Sequence, residues 1–276
     1  MSADANPAID VTLARRLERA EGEANVAFVN ARAIVEPSVG ATWMDVAGVY
    51  AMFDGVGSPL TQTFGLGLFG PFAEHQFDAI EAFFAARGSS TFHEVSSFTP
   101  EATAGLLLRR GYVPVEESTV LIRATTLDAG AHSGEVTVRR AGESEGEQWA
   151  HVSAQGWGGE SADVAAFVEQ LGRISARAHG VQCFLAEVDN VPIAAAALYM
   201  SGDVALLAGA STIPSARRRG AQNALLMTRL AFAASHGLAL AMIVTQPASA
   251  SQRNAERQGF RPVYSRTKWE RRLDAP

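Results

Sequence analysis

The sequence predicts an α/β fold built from two tandem copies of one mixed-sheet domain, and three observations carry that prediction. Segments 102–123 (ATAGLLLRRGYVPVEESTVLIR) and 250–271 (ASQRNAERQGFRPVYSRTKWER) superpose at an offset of 148 residues. Ala102, Arg109, Gly111, Pro114, Val115, Thr119 and Arg123 meet Ala250, Arg257, Gly259, Pro262, Val263, Thr267 and Arg271, and Tyr112 faces Phe260. Upstream of each segment lies a helical run closed by glycine and followed by a strand-like run. Between the copies, ATTLDAGAHSG is small, polar and glycine-containing, the composition of a linker. The boundaries that follow are 1–125 for the first domain, 126–134 for the linker and 135–276 for the second.

Composition is consistent with two packed domains. The chain has 276 residues, 47% hydrophobic and 19% charged, which supplies ample core and excludes disordered and low-complexity classes. No run approaches the ~20 consecutive apolar residues of a membrane helix. MSADANPAID lacks the basic-then-apolar layout of a signal peptide, so the expected location is the cytoplasm, away from membranes. The single cysteine, Cys183, excludes an intrachain disulfide framework and a cysteine-only zinc cluster, and VQCFLAEV reads as a buried strand. A net charge of −6 argues against a general nucleic-acid binder. Lys268 is the sole lysine, so the cationic chemistry is arginine chemistry, densest at Arg217-Arg218-Arg219.

Each element has a local cause. In the first copy PFAEHQFDAIEAFFAARG is helical, TFHEVSSF is a strand, and 102–123 adds a helix, the stop Gly111 and a strand. Glycine closes such helices because it adopts the left-handed conformation without a Cβ clash. In the second copy EVTVRR opens as a strand, with helical segments at Glu143–Ala154 and Ala162–Ala178. VQCFLAEV and VPIAAAALYM form a hairpin around Asp189-Asn190, a tight-turn pair. DVALLAGAST is the next strand, and SARRRGAQNALLMTRLAFAASHG turns into a long amphipathic helix before the strand LALAMIVT.

The arginine turn is the informative feature. A helix N-terminus presents unpaired N–H groups and a positive dipole end, which suit an anion. Gly220 permits close approach to the backbone, the arginines add charge, and Gln222 and Asn223 can donate from their side chains. On these residues alone an anion site and a solvated basic loop are both open. The turn has neither the lysine and hydroxyl of a P-loop nor a dinucleotide fingerprint. No metal-ligand spacing occurs in the chain.

TIPSARRRGAQNALL, Thr212 to Leu226, resembles the signature of the GNAT superfamily of N-acetyltransferases: strand, proline, Arg/Gln-x-x-Gly-x-Gly/Ala, then an Ala-Leu-rich helix. Arg217 and Gly220 fill its first demands, while Gln222 replaces the usual small residue. The later strand, helix and Gly259-Phe260 match as well, so the resemblance covers most of residues 135–270. It implies two tandem GNAT-like domains, each a splayed mixed sheet flanked by helices, with acetyl-CoA in the gap of the second. The coenzyme's arm would pair near Ser211, Thr212 and Ile213, and its diphosphate would meet Arg217, Arg218, Arg219, Gly220, Ala221, Gln222 and Asn223. Ser251 and Asn254, three apart on one helix face, are candidates for bonds to the arm or form a solvent-facing stripe.

The activity implied is acetyl transfer to the amine of a small molecule by direct attack in a ternary complex. The Thr212 region would supply the oxyanion donor. Ala255 stands where relatives carry an acidic tyrosine, and Tyr264 is the candidate substitute or a packing residue. Trp157 falls where relatives shape the acceptor pocket. VALLAGAST has no carboxylate, Glu187 and Asp189 read as the exposed end of the hairpin, and His151 as a helix-surface residue. The alternatives are a catalytically silent acyl-CoA-binding module and a generic nucleotide-binding domain. In the first copy FGLGLFGPFAE has no arginine, Pro71 removes an N–H near the place of Gly220, and Glu74 and Asp78 oppose phosphate. That copy reads as degenerate, a scaffold or a wall of the acceptor site. Two fused copies can imitate a dimer within one chain, and the oligomeric state stays open.

Overall fold

Residues 7–127, 135–157 and 161–273 are described by the computed structural model, so most of the expected linker, 128–134, lies outside the described residues. In chain order the elements begin with α1 (Val11–Val35), β1 (Thr42–Val46), β2 (Val49–Phe53), β3 (Gln62–Phe64) and α2 (Glu74–Ala85). β4 (Thr91–Ser96), α3 (Glu101–Arg109), β5 (Val113–Ala124), β6 (Thr137–Arg140), α4 (Gly146–Gln155) and α5 (Ala162–Ser175) follow. The chain continues through β7 (Val181–Val188), β8 (Val191–Ser201), β9 (Val204–Thr212) and α6 (Ala221–Ser235). It closes with β10 (Leu240–Thr245), α7 (Ala250–Arg257) and β11 (Arg261–Arg271). The helices and strands expected for both copies are all among these, and the fold is α/β with a mixed sheet flanked by helices. β3 and β4 run parallel, whereas β1–β2, β7–β8 and β8–β9 are antiparallel.

Two compact units divide the chain. Residues 1–123 and 242–276 form the first, and residues 124–241 the second. In the first unit the strand order is β1-β2-β3-β4-β11-β5-β10, so the last strand of the chain lies between β4 and β5. α1, absent from the sequence reading, is a helix of 25 residues whose N-cap Asp10 accepts from the Leu13 N–H at 2.9 Å. It packs on one sheet face through Val29, with Met52 and Phe64. α2 and α3 cover a core of Val49, Leu66, Phe77, Ile80, Phe84 and Leu107.

The register of β11 against β5 is the strongest evidence for the repeat. Ile122 pairs with Arg261 and Val113 with Glu270; Leu121 pairs with Pro262 and Pro114 with Trp269. Adding 148 to one member of each pair gives the partner of its equivalent, with Ser118–Arg266 as the self-equivalent centre. The two register shifts obey the same rule, since they skip Val115 and its equivalent Val263. Two strands equivalent in the repeat therefore pair about a local pseudo-twofold axis.

In the second unit the order is β9-β8-β7-β6. The β7–β8 hairpin turns at Asp189 and Asn190, both with positive φ (52° and 62°), as the tight-turn pair requires. α4 buries Trp149, Ala150 and Val152 against Leu185, Ala195 and Ala197. The side chain of Trp149 donates to the Ala196 carbonyl at 3.2 Å. Among the described residues no helix is long and apolar enough to cross a membrane.

Candidate functional site

The C-terminal end of β9 is shaped by a bulge. Ala195 pairs with Ser211 but Ala197 with Ala208, so β9 carries one extra residue, and Gly209 takes φ +60° there. A bulge bends its strand and leaves backbone unpaired. Ala208, Gly209 and Ala210 are accordingly exposed, although the strand is buried on both sides of them. Arg229 of α6 braces the bulge: its Nη1 donates to the carbonyls of Ala197 at 2.8 Å and Ala208 at 3.4 Å. Burial pushes this guanidinium down to about 10. The sequence reading passed over both features, for which the only local signals are the glycine in LLAGAST and an arginine on an apolar helix face.

Beyond the bulge the strand is tied down. Ser211 Oγ donates to the Ser153 carbonyl at 2.8 Å, and the Ile213 N–H donates to the Ile193 carbonyl at 3.0 Å. Because antiparallel N–H groups alternate between edges, the Thr212 N–H points away from β8. The Thr212 hydroxyl accepts from Gln222 Nε2 at 2.7 Å. Gln222, unusual against the GNAT signature, thus cross-braces the start of α6 to the end of β9. Gly156 closes this junction: a Cβ there would lie 2.4 Å from Ser211 Cβ and 3.0 Å from Thr212 N. Only glycine lets α4 end so close to β9, a requirement invisible in the sequence.

The turn itself separates the three arginines. Arg217 donates to the carbonyls of Gly156 at 3.0 Å and Thr212 at 3.4 Å, clamping the two backbones together. Arg219 is paired with Glu135 at 2.7 Å, which raises the arginine's pKa and lowers that of the exposed glutamate. Arg218 has φ +66° and, among the described residues, no side-chain partner. Gly220, at φ +85°, is the N-cap of α6, and a Cβ there would meet nothing within 4 Å. The first bond closing that helix end runs from the Ala224 N–H to the Gly220 carbonyl at 3.0 Å, and no side chain caps the end. The N–H groups of Ala221, Gln222 and Asn223 therefore precede the helical ladder. The equivalent end of α2 differs, since Gln76 Oε1 accepts from the Ala73 N–H at 2.7 Å and Glu74 sits in the first turn.

Ser251 and Asn254 are exposed on α7 in the first unit, with Asn254 accepting from Arg257 at 2.5 Å. Tyr264 is buried in the same unit, and its hydroxyl donates to Glu18 at 2.8 Å. Burial, then the Glu18 charge, hold that hydroxyl's pKa far above the ordinary tyrosine value. Trp157, 44% exposed, follows α4 in the second unit, just before undescribed residues 158–160. Glu187 corrects the sequence reading: it is buried, not at an exposed hairpin end, because Arg139 holds it at 2.9 Å. Cys183 is partly buried, and desolvation pushes its thiol up to about 12. His151 is on the exposed side of α4, 3.4 Å from Glu169. No group of His, Cys, Asp or Glu among the described residues could hold a metal ion.

Comparison with known proteins finds a family match and solved structures of like fold. Residues 147–260 match the model of the acetyltransferase (GNAT) family. A GCN5-related N-acetyltransferase from Kribbella flavida superposes with a TM-score of 0.62 at 18% identity, covering 91% of this chain and 96% of that one. A tandem GNAT protein from the clavulanic acid biosynthesis pathway gives 0.60 at 11% identity, covering 83% of this chain and 79% of that one. A GCN5-related N-acetyltransferase from Sphaerobacter thermophilus gives 0.53 at 13% identity, covering 78% and 72%. At these identities the solved structures share the fold. No curated protein matches the chain.

Proposed function

We propose that this chain, whose residues 147–260 match the model of the acetyltransferase (GNAT) family, is an acyltransferase that moves an acetyl group from acetyl-CoA to the amine of a small molecule in the cytoplasm. The observation that carries this reading is the uncapped start of α6 behind the open Gly220, beside Arg218, which has no side-chain partner among the described residues. Helix N-termini of this kind take diphosphates. Ala221, Gln222 and Asn223 would hold the diphosphate by their N–H groups, with Arg218 as the counter-charge. The exposed backbone at Ala208–Ala210, leading to Ser211 and Thr212, is where an extended arm would pair. Bound acetyl-CoA supplies an activated thioester carbonyl.

The chain's part in the chemistry is positional and electrostatic. Thr212 N–H, directed away from β8, would donate to the oxygen that becomes negative when a neutral amine attacks. The new C–N bond forms as the C–S bond breaks; the amine's proton leaves through water, and the departing thiolate takes one up. Tyr264 is left out of the acid's role here, because its hydroxyl is bonded to Glu18. Trp157 is the side chain we place nearest the acceptor. Free-thiol release from acetyl-CoA over a panel of small amines tests the proposal. Amine-dependent thiol release is the expected result. CoA uptake without turnover on any amine would replace it with the silent-module reading.

A further inference from the structure

The first unit holds a second site that the transferase reading does not use. At the local pseudo-twofold centre the repeat is unequal: Arg266 of β11 faces its own equivalent, Ser118 of β5. Cross-strand partners share a sheet face, so a long cation stands beside a short hydroxyl and leaves space. α1 closes over the arginine, with Glu18 at 2.5 Å and Glu21 at 2.7 Å from its nitrogens. The space is a cavity of about 250 Å³.

Three side chains lining that cavity are more than nine-tenths buried and carry polar atoms with no hydrogen-bond partner: Arg266 Nη2, Gln62 Oε1 and Thr245 Oγ1. Ser118 Oγ, also in the lining, is a fourth such atom. Buried polar groups ordinarily have partners, so four orphaned atoms around one cavity describe a ligand's hydrogen-bonding outline. Its charge is equally specific. Glu18 and Glu21 are taken by Arg266, while Glu94, Glu116 and Glu117 line the cavity against Lys268 alone. That surplus of carboxylate repels anions and favours a cation. Arg266 Nη2 can only donate, which suits a hydroxyl on an organic cation better than a bare ion. Hydroxyl groups on such a cation would answer Arg266 Nη2, Gln62 Oε1 and Thr245 Oγ1.

We infer that this cavity in the first unit binds a small hydroxylated ammonium compound, an amino alcohol or amino sugar, its ammonium on Glu94 and Glu116 and its hydroxyls on Arg266, Gln62 and Thr245. The site is independent of the coenzyme and of turnover. Desolvation also holds the Glu94 carboxyl up at about 7, against the lowering effect of Arg266 and Lys268, and an adjacent ammonium relieves that desolvated charge.

Calorimetry on the full chain without acetyl-CoA tests the site, with glucosamine and tris(hydroxymethyl)aminomethane as cations and glucose as the neutral counterpart. Both cations are expected to bind, and glucose at least ten times more weakly. Glu94→Gln is expected to weaken glucosamine at least tenfold; if that variant does not fold, Glu116→Gln on the exposed end of β5 serves instead. Thr245→Val is expected to lower glucosamine affinity yet raise the melting temperature of the unliganded protein, since it removes an orphaned hydroxyl. A merely structural threonine would not combine those two signs. The inference is overturned if neither cation binds, if glucose binds as tightly as glucosamine, or if the folded glutamate variant keeps full affinity.

Discussion

Of the three consecutive arginines before α6, Arg217 commits its guanidinium to the carbonyls of Gly156 and Thr212, and Arg219 to Glu135. Arg218 has no side-chain partner among the described residues, and in the proposed site it is the arginine that would meet the diphosphate. Arg218→Ala should therefore weaken CoA binding about tenfold, or ~1.4 kcal/mol, with little change in melting temperature, as for most surface substitutions. Arg217→Ala should lower both affinity and melting temperature; calorimetry and thermal melts of the two variants separate these roles. His93 offers a test at the same scale. It is fully buried between Thr63, at 2.7 Å, and the Tyr112 hydroxyl, at 3.1 Å, and desolvation lowers its pKa to about 3 from 6.5. With the folded value depressed, the unfolded chain binds the extra proton between these pH values, so this contribution falls as pH drops below about 6.5. The stability difference between the wild type and His93→Gln should shrink by about 1.4 kcal/mol per pH unit from 6.5 downward. A pH-independent difference in denaturant melts would refute the assignment.

Elements meet where glycine allows it. Gly156→Ala puts a methyl 2.4 Å from Ser211 Cβ, an overpacking that should cost about 1–3 kcal/mol and displace the end of β9. A lowered melting temperature together with weakened CoA binding is the expected pair of results. Much at this scale was legible in the sequence. The glycine-closed helices, the Asp189-Asn190 hairpin and the 148-residue repeat all rest on local rules. The turn at 217–223 was legible as a turn opening a helix because its residues are contiguous. What was not legible is contact across the fold. Nothing near Gly156 announces Ser211, and nothing near Tyr264 announces Glu18, 246 residues away. α1 escaped notice because its apolar residues are mixed with arginines and glutamates that are themselves buried, Glu18 and Arg32 among them.

On the scale of the whole molecule, sequence halves and compact units are different divisions. β11 belongs by repeat to the second copy, yet it pairs with β4 and β5 in the first unit. A fragment ending at residue 125 would therefore expose the facing edges of β4 and β5 and lose Arg266, the partner of buried Glu18. Expressed alone, that fragment is expected to show no cooperative thermal unfolding, whereas the full chain does. A fragment that melts cooperatively would mean the first copy is self-sufficient.

The central claim is that the start of α6 grips the diphosphate of coenzyme A. Titrating CoA into the wild type and into Gly220→Glu by calorimetry tests it most directly, because a Cβ at this position meets nothing within 4 Å and the carboxylate beyond it sets a negative charge where phosphate would sit. Binding by the wild type and its loss in the variant, whose melting temperature should fall by only the strain of a non-glycine left-handed residue, is the expected result. Equal affinity in the two proteins, or no uptake by either, would contradict the account.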